Sequence, residues 1–336
     1  MPLGSIDLDQ VRKDGSRVLL SNASASLLDL DDGVLCLEFH SKGNTLDEDT
    51  LAVAEHAMQS IPGRYRALVV GNQGTDFSFG ANLRWLLGLL AEIGEDSAAL
   101  SAAAKRFQRM TTGMRTAPFP TVSAPFARTI GGAIELTMFA SGVQAHTGLR
   151  AVLPEIAVGI LPDLGGTSEL YARSLEQAGE EHAVQALRDA FGTIVYMRGS
   201  ADAEHARRLN FLLPADRVTN DADALVAHAK AYALELADRF LPRGHRESIL
   251  VLGDDGFAQL ASDIDVALAS EALSPHDAQV ARAIARVMTG APGRRRHVRH
   301  EELLDGETRE FQLLVGKPQT AARMRHMLQH GTPLRN

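Results

Sequence analysis

The sequence predicts an α/β fold in which short buried strands alternate with helices over the first half of the chain, followed by a largely helical region. Two short apolar runs, Val34–Phe39 and Ala67–Val70, read as strands, and helical spacing follows each. A strand, a glycine-containing turn and a helix recur in that order at residues 67–93 and again at 121–139. Beyond Thr167 the apolar residues recur at helical intervals.

Taken in order, residues 1–26 are polar and mixed and are expected to form a lead-in or linker. Asp31-Asp32-Gly33 is a turn ahead of the first strand. Thr45-Leu46-Asp47-Glu48 has the capping-box form, opening a helix with Leu51, Ala54, Met58 and Ile61 on one face. Pro62-Gly63 stops it. Helices are expected at 83–93 and 98–114, broken by Pro118-Phe119-Pro120, and strands at 121–124 and 142–145. Residues 176–192 read as a polar helical insertion, and a helix from 201 ends at Asn210, the usual substitute for glycine in a left-handed cap. Residues 221–240 are helical, and 244–263 are expected to be irregular with a turn at 251–256. Ser274-Pro275-His276-Asp277 is an N-cap with proline at the first helical position, and 301–328 is helical apart from Gly316-Lys317-Pro318. The expected division is a lead-in at 1–26, a core carrying the site at 27–215 and a helical region at 216–336.

Within the core, Glu135 follows Gly131-Gly132 among Ile134, Leu136 and Met138, and Glu155 follows Leu153-Pro154 ahead of Ile156-Ala157-Val158. One glutamate in an apolar run is also what the exposed edge of an amphipathic element looks like. The glycine pair alters that balance, because bare N–H groups at a helix start can face an anion. A second glycine turn, Asp76 to Leu83, again lies between a strand and a helix. Backbone donors from two turns and two buried carboxyl groups, whose pKa burial raises, are what stabilising an enolate requires.

Lysine and arginine number 34 and aspartate and glutamate 42, a net charge of −8 that argues against general nucleic-acid binding. The single cysteine, Cys36, excludes a disulfide framework and suggests a reducing, cytoplasmic setting. No run approaches the length of a membrane span and no signal peptide opens the chain. Dinucleotide, ATP-loop and serine-hydrolase motifs are missing. His326 and His330 lack the glutamate of a zinc motif, so no metal is expected. The basic run from Arg294 to Arg299 reads as a solvated loop or, less simply, a phosphate contact.

Phe77-Ser78-Phe79-Gly80-Ala81-Asn82-Leu83, Ile130-Gly131-Gly132-Ala133-Ile134-Glu135, Leu153-Pro154-Glu155 and Gly159-Ile160-Leu161-Pro162-Asp163-Leu164-Gly165-Gly166-Thr167 together resemble the crotonase (enoyl-CoA hydratase/isomerase) superfamily. Residues 37–42, 71–74, 176–192 and 326–336 resemble more closely the hydratase portion of bacterial bifunctional 3-hydroxyacyl-CoA dehydrogenase/enoyl-CoA hydratase proteins. The resemblance implies a crotonase-like spiral of ββα units with a C-terminal helical region that builds a homotrimer or a dimer of trimers. It implies reversible hydration of a 2-enoyl-CoA, with the thioester oxygen between the N–H groups of Phe79 and Gly132. Glu135 would be the base toward water and Glu155 the proton donor to the α-carbon. Gly80, Ala81, Gly131 and Lys42 would bind substrate. No metal and no cofactor beyond the substrate's coenzyme A is implied, and a separate 3-hydroxyacyl-CoA dehydrogenase is a candidate partner. An isomerase or lyase of the same fold, or a scaffold for that dehydrogenase, is the alternative. Phe79, Asn82, Ala133, Ser141 and Asp163-Leu164 depart from the common pattern and bear on substrate range.

Overall fold

The apolar runs at 34–39 and 67–70 sit at the middle of a seven-stranded sheet. Its strands are β1 (Val18–Ser21), β2 (Ala25–Asp29), β3 (Val34–Phe39), β4 (Ala67–Val70), β5 (Thr121–Ser123), β6 (Gly142–His146) and β7 (Arg217–Thr219), paired in that order. β1 to β3 are antiparallel, and β3 to β7 are parallel. Every residue of β3 and β4 is buried, as expected of strands covered on both faces. The computed structural model describes residues 4–94 and 96–336. These form two compact units that interleave along the chain. One runs to Asn82 and includes Arg109–Ala151 and Gly199–Gly244; the other comprises Leu83–Gln108, Val152–Arg198 and His245–Asn336.

The first unit holds the sheet. The helix Leu225–Ala237 packs on it through Leu225, Val226, Ala229 and Tyr232, against Val34, Cys36, Val69 and Val122. Part of the expected linker is built into this core: Leu8–Lys13 is a helix, and β1 and β2 follow it. Leu8 and Val11, three apart, supply its buried face, and Asp7 caps it by accepting from the Gln10 N–H. Six residues with two apolar contacts are too short a pattern to stand out from a polar stretch, and β1 is a half-exposed edge strand. Met1, Pro2 and Leu3 of that expected lead-in lie outside the described residues. The cap of the next helix, Glu48–Ser60, is Asp47 rather than Thr45.

The second unit is helical around Pro275–Thr289, which packs against Gly166–Ala178, Ala183–Val195, Gly253–Ala269 and His300–Val315. Ser274 is the expected N-cap, with Pro275 in the first turn, and Asp277 completes a capping box with it. The stretch 244–263 is more regular than its sequence suggests: Ile249–Val251 pairs antiparallel with Arg296–Val298, and Gly253–Ala269 is a helix. Its acidic first turn, Asp254-Asp255, suits a helix start. The polar insertion resolves into the end of Gly166–Ala178 and a helix, Ala183–Val195, that buries Leu187, Ala190, Phe191 and Ile194. In the first unit Asn210 adopts the expected left-handed conformation, with φ 62°. Among the described residues no helix is long and apolar enough to cross a membrane.

Candidate active site

In the first unit the chain leaves β4 and makes the Asp76–Leu83 turn, which is fixed by polar side chains. Asn72 accepts from the Phe39 N–H (2.6 Å) and donates to the Phe77 carbonyl (2.6 Å). Arg128 donates to both oxygens of Asp76 (2.7 Å each), which holds that carboxyl below its usual range, and its guanidinium lies over the Phe79 ring. Gly80 has φ +74°, and a Cβ there would fall 2.5 Å from the Ile130 carbonyl and 3.1 Å from the Gly132 nitrogen. Only glycine therefore lets the two turns touch.

Gly131 (φ 57°, ψ −129°) starts the helix Gly132–Phe139 without a side-chain cap, and every residue of that helix is buried. Gly132 opens the first turn, where N–H groups have no intrahelical acceptor, and it has no partner among the described residues. Glu135 lies in the same first turn, 1% exposed. The Phe79 N–H is differently placed: it donates to the Gly43 carbonyl (3.1 Å). Gly43 belongs to a short turn, Lys42–Asn44, whose Asn44 side chain donates to the Asp76 and Phe77 carbonyls. Ala81 and Lys42 are exposed. The first unit thus brings together Phe79, Gly80, Ala81, Gly131 and Gly132, with the Lys42 turn lying on the first donor.

Glu155 belongs to the second unit. It opens a single 3-10 turn, Glu155–Val158, and its Oε2 is buried without a hydrogen-bond partner among the described residues. Burial, reinforced by the negative charge of Asp163, pushes it up to about 8 against the pull of its own N–H. Burial pushes Asp163 up to about 7. Glu307, from His300–Val315, accepts from the N–H groups of Gly165 (2.8 Å) and Ser168 (2.7 Å) at the start of Gly166–Ala178. Burial outweighs those donors and pushes it up to about 8. Among the described residues no cation pairs with any of these three. Glu169, in the same helix start, is likewise buried, but Arg246 binds both its oxygens (2.9 and 2.8 Å) and Arg173 one (2.9 Å). Burial alone would raise it; the arginines hold it well below the usual carboxylate range.

The sequence singled out Glu155 and Asp163 but neither Glu307 nor the Glu169 cluster. The spacing of Glu169 and Arg173, one helical turn apart, was the available signal; nothing local marked Arg246 or Glu307. Among the described residues no group of three or more histidine, cysteine, aspartate or glutamate side chains is arranged to hold a metal ion.

No protein-family model matches the chain. It is 34% identical over 331 residues to a Bacillus subtilis protein named "Probable 3-hydroxyacyl-CoA dehydrogenase", a match that takes in 97% of this chain but 41% of that protein. The chain therefore spans about two fifths of this relative. Among solved structures it is similar to enoyl-CoA hydratase from Bacillus halodurans, at 16% identity over 90% of this chain and 99% of that one, with a TM-score of 0.58. An enoyl-CoA hydratase/isomerase from Xanthobacter autotrophicus Py2 matches at 17% identity over 93% and 95% of the two chains, with a TM-score of 0.57. Glycine turns that touch at Gly80 and Gly132, beside a mostly parallel sheet, thus belong to a chain with the crotonase fold, the fold of the enoyl-CoA hydratase/isomerase structures.

Proposed function

We propose that this chain catalyses the reversible hydration of 2-enoyl-CoA thioesters to 3-hydroxyacyl-CoA. The observation that supports the reading is the contact between the two glycine turns: a Cβ on Gly80, next to Phe79, would fall 3.1 Å from the Gly132 nitrogen, and Glu135 lies in the helix turn that Gly132 opens. In this reading the thioester oxygen takes the place of the Gly43 carbonyl on the Phe79 N–H and accepts from the open Gly132 N–H. Each donor is worth about 3–4 kcal/mol once charge develops on that oxygen. Glu135 takes a proton from water as its oxygen adds to the β-carbon, and Glu155 gives a proton to the α-carbon. A carboxyl raised to about 8 carries that proton at neutral pH, which supports the donor role. Gly80, Ala81, Gly131 and Lys42 line the substrate. The overall addition of water is redox neutral and calls for no redox cofactor.

Asp163 favours one alternative, an isomerase, because a second raised carboxyl beside Glu155 could carry a proton between two carbons. The relative's name makes a 3-hydroxyacyl-CoA dehydrogenase the partner to test, since such an enzyme would act on the proposed product. A homo-oligomer in the cytoplasm completes the proposal.

The test is the loss of conjugated enoyl-thioester absorbance on mixing the protein with short and long 2-enoyl-CoAs. Rapid loss, abolished by Glu135→Gln and by Glu155→Gln, is expected. No loss at any chain length from folded protein would overturn the hydratase reading. Isomerisation of a 3-enoyl-CoA that survives Glu135→Gln but not Glu155→Gln would establish the alternative.

A further inference from the structure

The turn that carries Glu155 does little to fix its own shape. It spans four residues, has no side-chain cap, and closes with Gly159 N–H to Ile156 O (3.0 Å) and Ile160 N–H to Glu155 O (3.2 Å). Ala157 N–H to Pro154 O (2.9 Å) is its third backbone bond, and side-chain bonds to its carbonyls come from the helix Pro318–His330. Arg323 is 1% exposed, and its guanidinium is fully bonded. It donates to the Ile156 carbonyl (2.7 Å) and Asp277 (2.6 Å), to the Asn336 side chain (2.8 Å) and carbonyl (3.4 Å), and to Ser274 (2.9 Å). Three residues earlier on the same helix face, the Thr320 hydroxyl donates to the Gly159 carbonyl (2.9 Å), with the Leu314 carbonyl (2.8 Å) sharing the proton. Gly159 sits so close to that helix, at φ 85°, that a Cβ would meet Thr320 Oγ1 at 2.8 Å. Two carbonyls of the glutamate's turn are thus held by two side chains of one helix.

We infer that Thr320 and Arg323 are positioning residues that set the direction of the Glu155 carboxyl by clamping the carbonyls of Ile156 and Gly159. The inference rests on Glu155 being the proton donor proposed above. Asp277 matches the charge of Arg323, so the arginine acts through the backbone rather than through its field. A buried, paired arginine adds little stability over apolar packing; what it supplies is a directed bond to one carbonyl.

The experiment compares Thr320→Val, Thr320→Ser and Arg323→Lys with the wild type, with Glu155→Gln used to assign the Glu155 signal in a 13C carboxyl titration. Thr320→Val is nearly isosteric and keeps the packing without the donor. It and Arg323→Lys are expected to lower kcat for hydration by about 10- to 100-fold with KM nearly constant. The Glu155 signal, expected near 8 in the wild type, should shift in both variants. Thr320→Ser, which keeps the donor, is expected to restore both readouts. Unchanged kcat and titration in folded Thr320→Val and Arg323→Lys would overturn the inference, as would a loss in Thr320→Ser as large as in Thr320→Val. If the wild type hydrates nothing, the hydratase proposal fails by itself, and the titration still decides whether the clamp sets Glu155.

Discussion

Glu155 and Glu169 are both buried in the second unit, yet one is held with its proton and the other without. Around Glu169 stand Arg173 and Arg246, and the carboxyl is ionised. Beside Glu155 stands another acid, Asp163, no cation pairs with its carboxyl among the described residues, and the carboxyl is raised. Burial is common to both, so it does not choose the state; the neighbours do. The paired carboxylate ties a loop to a helix through a third residue, Arg246, which also bonds Glu176. The unpaired one is suited to giving a proton away.

The contrast can be broken most sharply by removing Glu155. Glu155→Gln is expected to cut the hydration kcat by about 10²–10⁴-fold while leaving the fold intact at pH 7, because an amide there replaces a carboxyl that is already neutral. Steady-state rates and thermal unfolding measured on the same samples check both halves. Arg246→Met does the converse. It strands the Glu169 charge with one cation, and urea unfolding at pH 7 should show a loss of about 3–5 kcal/mol. Because Glu169 is depressed, its stabilisation is present above its ordinary value of 4.5 and disappears as the pH falls.

The raised group has the opposite sign. Its contribution is complete below 4.5 and is lost as the pH rises through about 8. The wild type should therefore be less stable at pH 9 than at pH 6, and Glu155→Gln should remove on the order of 2 kcal/mol of that difference in urea titrations at the two values. Asp163→Asn is the mildest change. Without the neighbouring negative charge Glu155 ionises more readily, so the alkaline limb of the kcat profile, expected near 8 in the wild type, should move to lower pH. A limb that stays in place would mean that Asp163 does not govern Glu155.

Much of the fold could be read from the chain because its signals are local. The runs 34–39 and 67–70 are strands with the bounds expected, Leu83–Ile93 is a helix, and Ser274 opens another through its capping box. Misread stretches were those whose order comes from distant contacts. Leu8 and Val11 fold onto a core built from residues up to Ala233, and Gly253 begins a helix where the Asp254 backbone N–H donates to the Gly293 carbonyl. Composition alone gives no sign of either.

The candidate site divides in the same way. Sequence by itself placed Glu135 behind a glycine pair, Glu155 after a proline and a glycine at position 80, because backbone sterics and helix starts depend on a few adjacent residues. Tertiary structure decided that Gly80 touches Gly132, that Gly43 covers the Phe79 N–H, that Glu169 meets Arg246 and that Arg323 reaches the Glu155 turn. Those pairings join residues from 36 to 167 positions apart. A buried polar atom must find its partner wherever the folded chain brings one, and spacing along the sequence does not record that search.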